Sequence, residues 1–101
     1  MSNYVDELAQ AIRAEVDPAI IPKKGDVAAL FRIYALLGRA KGEQVTARDV
    51  HDAWAAWALQ AKPDHPAIVP FEELSPETQA KDEPYAEAIR AVASRLLPTT
   101  T

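Results

Sequence analysis

The sequence has few or none of the residues on which several kinds of site depend: it contains no cysteine and only three glycines. Without cysteine, neither a disulfide framework nor a thiolate metal site can form. The glycines are isolated, so there is no glycine-rich phosphate loop. No stretch approaches the roughly 18 apolar residues of a membrane span, and the acidic N-terminal segment does not resemble a signal peptide. We therefore expect a cytoplasmic protein with no membrane association.

The composition is typical of one globular domain. Of the 101 residues, 49% are apolar and 26% are charged. This fraction of apolar residues is enough for one modest core, and the fraction of charged residues is too low to indicate disorder. We predict a single helical domain over residues 1–97, followed by a frayed Pro-Thr-Thr-Thr tail over residues 98–101.

Apolar residues recur at helical spacing in the first two segments of the chain. The first segment begins with Ser2 as a predicted N-cap and ends before Pro18, because the residue that precedes a proline disfavours the helical conformation. The second segment follows Asp26 and ends at Gly42. It is apolar on two sides, one of which carries Ile33, Leu36 and Ala40, and this is typical of a central helix packed from both sides. Gly38 lies inside it and indicates close approach by a neighbouring element.

Two further helices are predicted in the second half of the chain. Thr46 and Asp49 have the spacing of a capping box at the start of the third helix. Pro63 ends that helix, because proline cannot continue the hydrogen-bond ladder. Pro84 is suited to the first turn of the last helix.

The stretch between these two helices, residues 64–84, is the irregular part of the chain. Five of the eight prolines lie in it or just before it. Pro70 and the pair Ser75-Pro76 each have the signature of a short capped helical turn. The sequence thus predicts an all-α fold: a compact bundle of four main helices, with short Pro-capped helical turns between helices three and four.

The same stretch resembles a known family, the ryanodine-receptor-type (RyR) domain. The residues that carry this resemblance are His51, Trp54, His65-Pro66, Val69-Pro70-Phe71, Leu74 and Lys81-Asp82. The resemblance covers about residues 46–85. It implies a recognition module without a catalytic residue, which in prokaryotic settings binds a small ligand. The chain is also similar to small proteins of actinobacterial phages, which implies a phage or prophage origin and, in that case, location in the host cytoplasm.

Seven residues are candidates for binding a ligand or a partner: Arg48, Trp54, Trp57, His65, Phe71, Glu72 and Glu73. The two tryptophans share one helical face, where they would either belong to the core or stack on a planar ligand. In a ligand pocket, Trp57, His65 and Phe71 would form the lining. Arg48 or Lys62 would then face an anionic group.

Catalytic and metal chemistry have little support in the sequence. No HExxH or closely spaced histidine pair is present. His65 is expected to bond a backbone group in its turn, and the adjacent Glu72 and Glu73 are expected to favour a helix N-terminus rather than form a catalytic dyad. Neither a cysteine nor an activated serine is available as a nucleophile. We predict no enzyme activity, no cofactor and no bound metal.

Charge is unevenly distributed along the chain. Residues 23–48 contain six basic and two acidic residues, a net charge of +4, whereas residues 64–87 contain one basic and seven acidic residues, a net charge of −6. This asymmetry either steers a charged partner or is neutralised between packed neighbours.

Three hypotheses follow. The leading one is a small non-enzymatic interaction module that binds a host or phage protein through the acidic surface of residues 64–87. The alternative is a small-ligand domain of RyR type that binds a nucleotide-like molecule. The weaker alternative is a helix-turn-helix protein over residues 36–54. Arg48 is the one basic residue near the start of the would-be recognition helix, which argues against nucleic acid as a partner.

Overall fold

A computed structural model describes residues 3–97, and the helices in it begin and end largely at local capping signals. The helices are α1 (Tyr4–Glu15), α2 (Val27–Lys41), α3 (Ala47–Ala61), α4 (Pro76–Ala80) and α5 (Glu83–Leu96), with single 3₁₀ turns at Pro18–Ile20, Gly42–Gln44 and Phe71–Glu73. No strand occurs among these residues. The predicted all-α bundle of four main helices is confirmed. The predicted tail, residues 98–101, lies outside the described residues.

Several predicted helix ends are confirmed. Thr46 and Asp49 form the capping box of α3, since each side chain accepts a hydrogen bond from the other residue's backbone N–H. Gly42 ends α2 with a positive φ of 56°. Ser75 caps α4, and Pro76 is its first residue.

The prediction for the start of α1 was wrong by one residue. Its N-cap is Asn3, whose side-chain oxygen accepts a hydrogen bond of 2.8 Å from the backbone N–H of Asp6. Asparagine is as good an N-cap as serine. Ser2 itself lies outside the described residues.

The core is formed where α2 contacts α1, α3 and α5. Its largest fully buried side chains are Ile12, Leu30, Phe31, Tyr34, Val45, Val50, Ile89 and Val92. The predicted burial of α2 on two sides was wrong for Leu36, which is 55% exposed. The neighbouring helices cover the side of α2 that carries Leu30 and Tyr34, and they leave the side of Leu36 to water.

The predicted close approach at Gly38 is confirmed. A Cβ atom at this position would lie 3.2 Å from the Cγ2 atom of Ile89 in α5. Tyr34 and Tyr85 lie one turn before these two residues, and their rings are 5.4 Å apart. α2 and α5 therefore contact each other at both of these levels.

Within residues 3–97, no helix combines the length and the apolar character that crossing a membrane requires.

Candidate functional site

Several chain segments meet around a cavity of about 290 Å³, which we call the aromatic cavity. The connector before α2, the helices α2, α3 and α5, and the stretch between α3 and α5 all contribute to its lining. Its apolar and aromatic lining consists of Ile20, Pro22, Leu30, Tyr34, Trp54, Ala67 and Tyr85. Its polar lining consists of His51, His65, Thr78, Lys81 and Asp82.

Aromatic rings form two walls of the aromatic cavity. Tyr34 and Tyr85 form one wall, with ring centroids 5.4 Å apart. The Trp54 ring forms the other: it stacks on the His51 ring at 5.8 Å and meets the His65 ring edge-on at 5.2 Å. These contacts hold the rings against one another around the cavity.

His51 connects α3 to the irregular stretch of residues 64–84. Its side chain is almost completely buried, and its Nε2 atom lies 2.6 Å from the backbone oxygen of Val69. A carbonyl oxygen can only accept a hydrogen bond, so Nε2 carries the hydrogen and donates it. The other ring nitrogen, Nδ1, faces the Oδ2 atom of Asp82 at 3.9 Å, which is too long for a hydrogen bond.

Asp82 is placed in an unusual way for a residue at the start of a helix. It occupies the N-cap position of α5, yet its side chain makes no capping hydrogen bond. The side chain is only 15% exposed and lines the cavity instead. Burial raises the pKa of this carboxyl to about 6, and the charge of His51 acts in the opposite direction. Above that pH the cavity contains a carboxylate with little compensation for its charge.

The two tyrosines differ in how their hydroxyl groups are used. The Tyr85 hydroxyl donates a hydrogen bond of 2.7 Å to the backbone oxygen of Ile20. The Tyr34 hydroxyl has no hydrogen-bond partner among residues 3–97, although it is not sealed away from solvent. Burial raises the pKa of both tyrosines, and the charge of Asp82 adds to the effect. Both phenols are neutral at physiological pH, and the hydroxyl of Tyr34 is free to bond a ligand.

Comparison with protein families gives one match. A family model described as a domain of unknown function (DUF7701) matches residues 3–94. The chain belongs to this family. No curated protein and no solved structure matches the chain. The description of the DUF7701 family states no function, so the resemblance to the RyR family and the phage origin stay predictions.

Two of the seven predicted binding residues line the aromatic cavity of this DUF7701 domain: Trp54 and His65. The His65 Nδ1 atom accepts a hydrogen bond of 3.0 Å from the backbone N–H of Ala67, in agreement with the expected backbone bond. This bond fixes the tautomer, because Nδ1 must be unprotonated to accept and Nε2 then carries the hydrogen.

Phe71 and Trp57 lie outside the cavity lining. The Phe71 ring centroid is 6.2 Å from that of His51, so the two rings pack against each other. The indole N–H of Trp57 donates a hydrogen bond of 2.8 Å to the backbone oxygen of Asp26, next to the start of α2. Its ring packs against Gly25, where a Cβ atom would be only 3.1 Å away. Both aromatic residues therefore hold chain segments together.

The three charged candidates lie at the surface, away from the cavity. Arg48 and Glu72 form an ion pair in which both side chains are more than half exposed. Glu73 is exposed and has no ion-pair partner among residues 3–97. Of the residues expected to line a pocket, Trp57, His65 and Phe71, only His65 belongs to the lining of the aromatic cavity, and Arg48 does not.

The predicted binding residues did not include Tyr34, His51, Asp82 and Tyr85, which also line the cavity. Each carried a signal that had a simpler local interpretation. The tyrosines belong to apolar helical stripes, which are typical of a core, and Asp82 lies at the start of α5. His51 and Trp54 are three residues apart, which places them on the same side of a helix. That spacing was the one local clue to the site.

In the described part of the chain, no three His, Asp or Glu side chains come close enough together to hold a metal ion.

Proposed function

We propose that this domain binds a small organic molecule in the aromatic cavity and performs no reaction on it. One observation carries the proposal: the cavity combines preformed aromatic walls with a buried carboxylate and a tyrosine hydroxyl that have no strong partner in the protein. Small-molecule sites are typically concave and apolar, with a few convergent polar groups of this kind.

The size of the cavity favours a ligand smaller than a nucleotide. Its volume of about 290 Å³ is at the lower end of the roughly 300–1,000 Å³ that is typical of ligand sites. The RyR resemblance implies ligand binding, and the cavity supports that part of it while favouring a compact molecule over a nucleotide-like one.

The arrangement of His51 argues for binding rather than catalysis. Its Nε2 atom is engaged by Val69, and its Nδ1 atom is directed at Asp82. Neither nitrogen faces an adjacent hydroxyl or thiol, as a general base that activates a nucleophile must. The Thr78 hydroxyl is 2.9 Å from that of Ser75, in the cap of α4.

Thermal denaturation with a panel of small cations, anions and neutral compounds tests the proposal. A ligand at about 100 times its Kd adds about 2.7 kcal/mol to the free energy of unfolding. For a domain of this size, that raises the Tm by roughly 10 °C or more. If no compound class raises the Tm, the proposal fails.

A pair of variants makes the same test specific for the cavity. Ala67 is a small residue in the lining, so Ala67→Leu fills the cavity without removing a side-chain contact. Ala56 is exposed on α3, and Ala56→Leu is its matched control. The rise in Tm should disappear in Ala67→Leu and persist in Ala56→Leu. Equal responses in both variants would place the ligand elsewhere and refute the proposal.

A protein partner is the second candidate function. The acidic surface of residues 64–87 supports it, because Glu73, Glu77 and Glu87 are exposed and have no ion-pair partner within residues 3–97. A basic protein surface would complement this charge. Pull-down from a host lysate with the wild-type domain and with a Glu73→Lys, Glu77→Lys variant tests it. Recovery of the same proteins with both would exclude this surface as the binding site.

A further inference from the structure

We propose that the ligand of the aromatic cavity is a small alkylated ammonium ion, held against aromatic faces and neutralised by the Asp82 carboxylate. This inference rests on the proposed function, because it specifies the ligand class of the same cavity.

The aromatic walls supply the first part of the recognition. The faces of tryptophan and tyrosine rings carry negative charge density and attract cations within about 6 Å of the ring centre. Tyr34, Trp54 and Tyr85 all line the cavity, from three different helices. None of them is engaged by an arginine or lysine of the described chain through a cation–π contact, unlike Tyr4 and Phe31, which have Arg39 and Arg13 over their rings.

The Asp82 carboxylate supplies the second part. A carboxylate taken out of water is unfavourable unless it is paired or hydrogen-bonded. No residue between 3 and 97 donates a hydrogen bond to this side chain, and the nearest cationic candidate is the His51 ring at 3.9 Å. A cation in the cavity would supply the missing positive charge. An anionic ligand would instead add a second negative charge beside the first.

The apolar and aromatic character of the lining decides which kind of ammonium fits. A primary ammonium has three N–H donors, each of which needs an acceptor once it leaves water. Besides the Asp82 carboxylate, the lining offers the hydroxyl oxygens of Tyr34, Thr78 and Tyr85 and the Nδ1 atom of His51. The Thr78 hydroxyl already contacts Ser75, the Tyr85 hydroxyl already donates to Ile20, and most of the remaining lining is apolar or aromatic. A quaternary ammonium has no N–H donor to satisfy, and its methyl groups suit the aromatic and aliphatic lining.

Choline and 3,3-dimethylbutan-1-ol, its uncharged isostere, are the probes for the experiment. Binding is measured at neutral pH by calorimetry and by the fluorescence of Trp54 in a Trp57→Phe background, in which Trp54 is the one remaining tryptophan. We expect choline to bind at least about tenfold more tightly than the alcohol, which corresponds to the energy of a desolvated cation–π contact with a nearby charge. Equal binding of the two probes, or binding of the alcohol alone, would overturn the inference.

Two variants test the role of charge. Asp82→Asn should weaken choline binding about tenfold and leave the affinity for the alcohol unchanged. Lys81 lies at the exposed side of the cavity, and Lys81→Ala should strengthen choline binding about two- to threefold by removing a like charge. Circular dichroism and thermal melts confirm that each variant is folded. If both variants bind choline as the wild type does, the carboxylate has no role and the inference fails.

The outcome also separates this inference from the proposed function. If small anions or neutral compounds raise the Tm and Ala67→Leu abolishes the rise, while choline has no effect, the ligand class is wrong and the binding function stands. If no compound of any class binds, both are wrong.

Discussion

Replacement of Asp82 by asparagine should stabilise the domain at neutral pH and leave its stability unchanged in acid. The reason is that the folded state holds this carboxyl where its ionised form is disfavoured. Its pKa is about 6 in the folded protein, compared with 3.8 for a solvated aspartate. Asparagine has a similar shape and cannot ionise, so it does not carry this penalty.

The sign and size of the effect follow from proton linkage. Between about pH 4 and pH 6 the unfolded chain releases the Asp82 proton while the folded chain keeps it, so stability falls as pH rises through this interval. Each unit of difference in pKa corresponds to about 1.4 kcal/mol. The free energy of unfolding of Asp82→Asn should therefore exceed that of the wild type by about 2–3 kcal/mol at pH 7, and the two should converge near pH 3.

Urea denaturation across this pH range, followed by circular dichroism, measures the difference directly. Titrating groups that do not interact with Asp82 are shared by the two proteins and cancel in the comparison. Asp64→Asn is the matched control, because Asp64 is exposed and makes no ion pair within the described residues. For Asp64→Asn, the difference in free energy of unfolding from the wild type should not grow in this way as the pH rises. A constant difference between Asp82→Asn and the wild type at all pH values, or a less stable variant at pH 7, would refute the reasoning.

Three further predictions concern the frame around the cavity. Gly38→Ala should not bring the gain of about 1 kcal/mol that alanine normally has over glycine inside a helix, because the new methyl group meets the buried Ile89; a gain of that size in the same urea assay would contradict this. Trp57→Phe should lower it by about 1 kcal/mol through loss of the indole hydrogen bond, and an unchanged urea midpoint would contradict this. Thr46→Ala should lower it by about 1 kcal/mol through loss of the α3 cap, whereas Ser94→Ala, at an exposed position of α5, should not.

The elements of this fold were predictable wherever the deciding interaction is local. The capping box of Thr46 and Asp49 joins residues three positions apart, so its signature is complete in the sequence. The cap at Ser75 and the end of α2 at Gly42 have the same property. The exposed position of Leu36 marks the limit of prediction from local patterns. An apolar stripe shows that a side of a helix can be buried, but not whether a neighbour covers it.

The candidate site depends on contacts that no local pattern contains. Tyr85 reaches the backbone of Ile20 across 65 residues of sequence. Asp82 could equally have capped α5, and its inward orientation is decided by the packing of α3 and α5 around it. Trp54 and His65 were predicted because they stand out as residue types. Their partners became apparent only when the helices were brought together.

The glycine at position 38 has a consequence that reaches beyond helix packing. It allows α2 and α5 to approach closely one turn away from the pair of rings formed by Tyr34 and Tyr85. The spacing of that pair, and hence the shape of the wall that the two rings form, therefore depends on a residue that does not line the cavity. A family member with a larger residue at this position would have its helices wedged apart. Selection for ligand size could then act on the packing contact between α2 and α5 and leave every residue of the cavity lining unchanged.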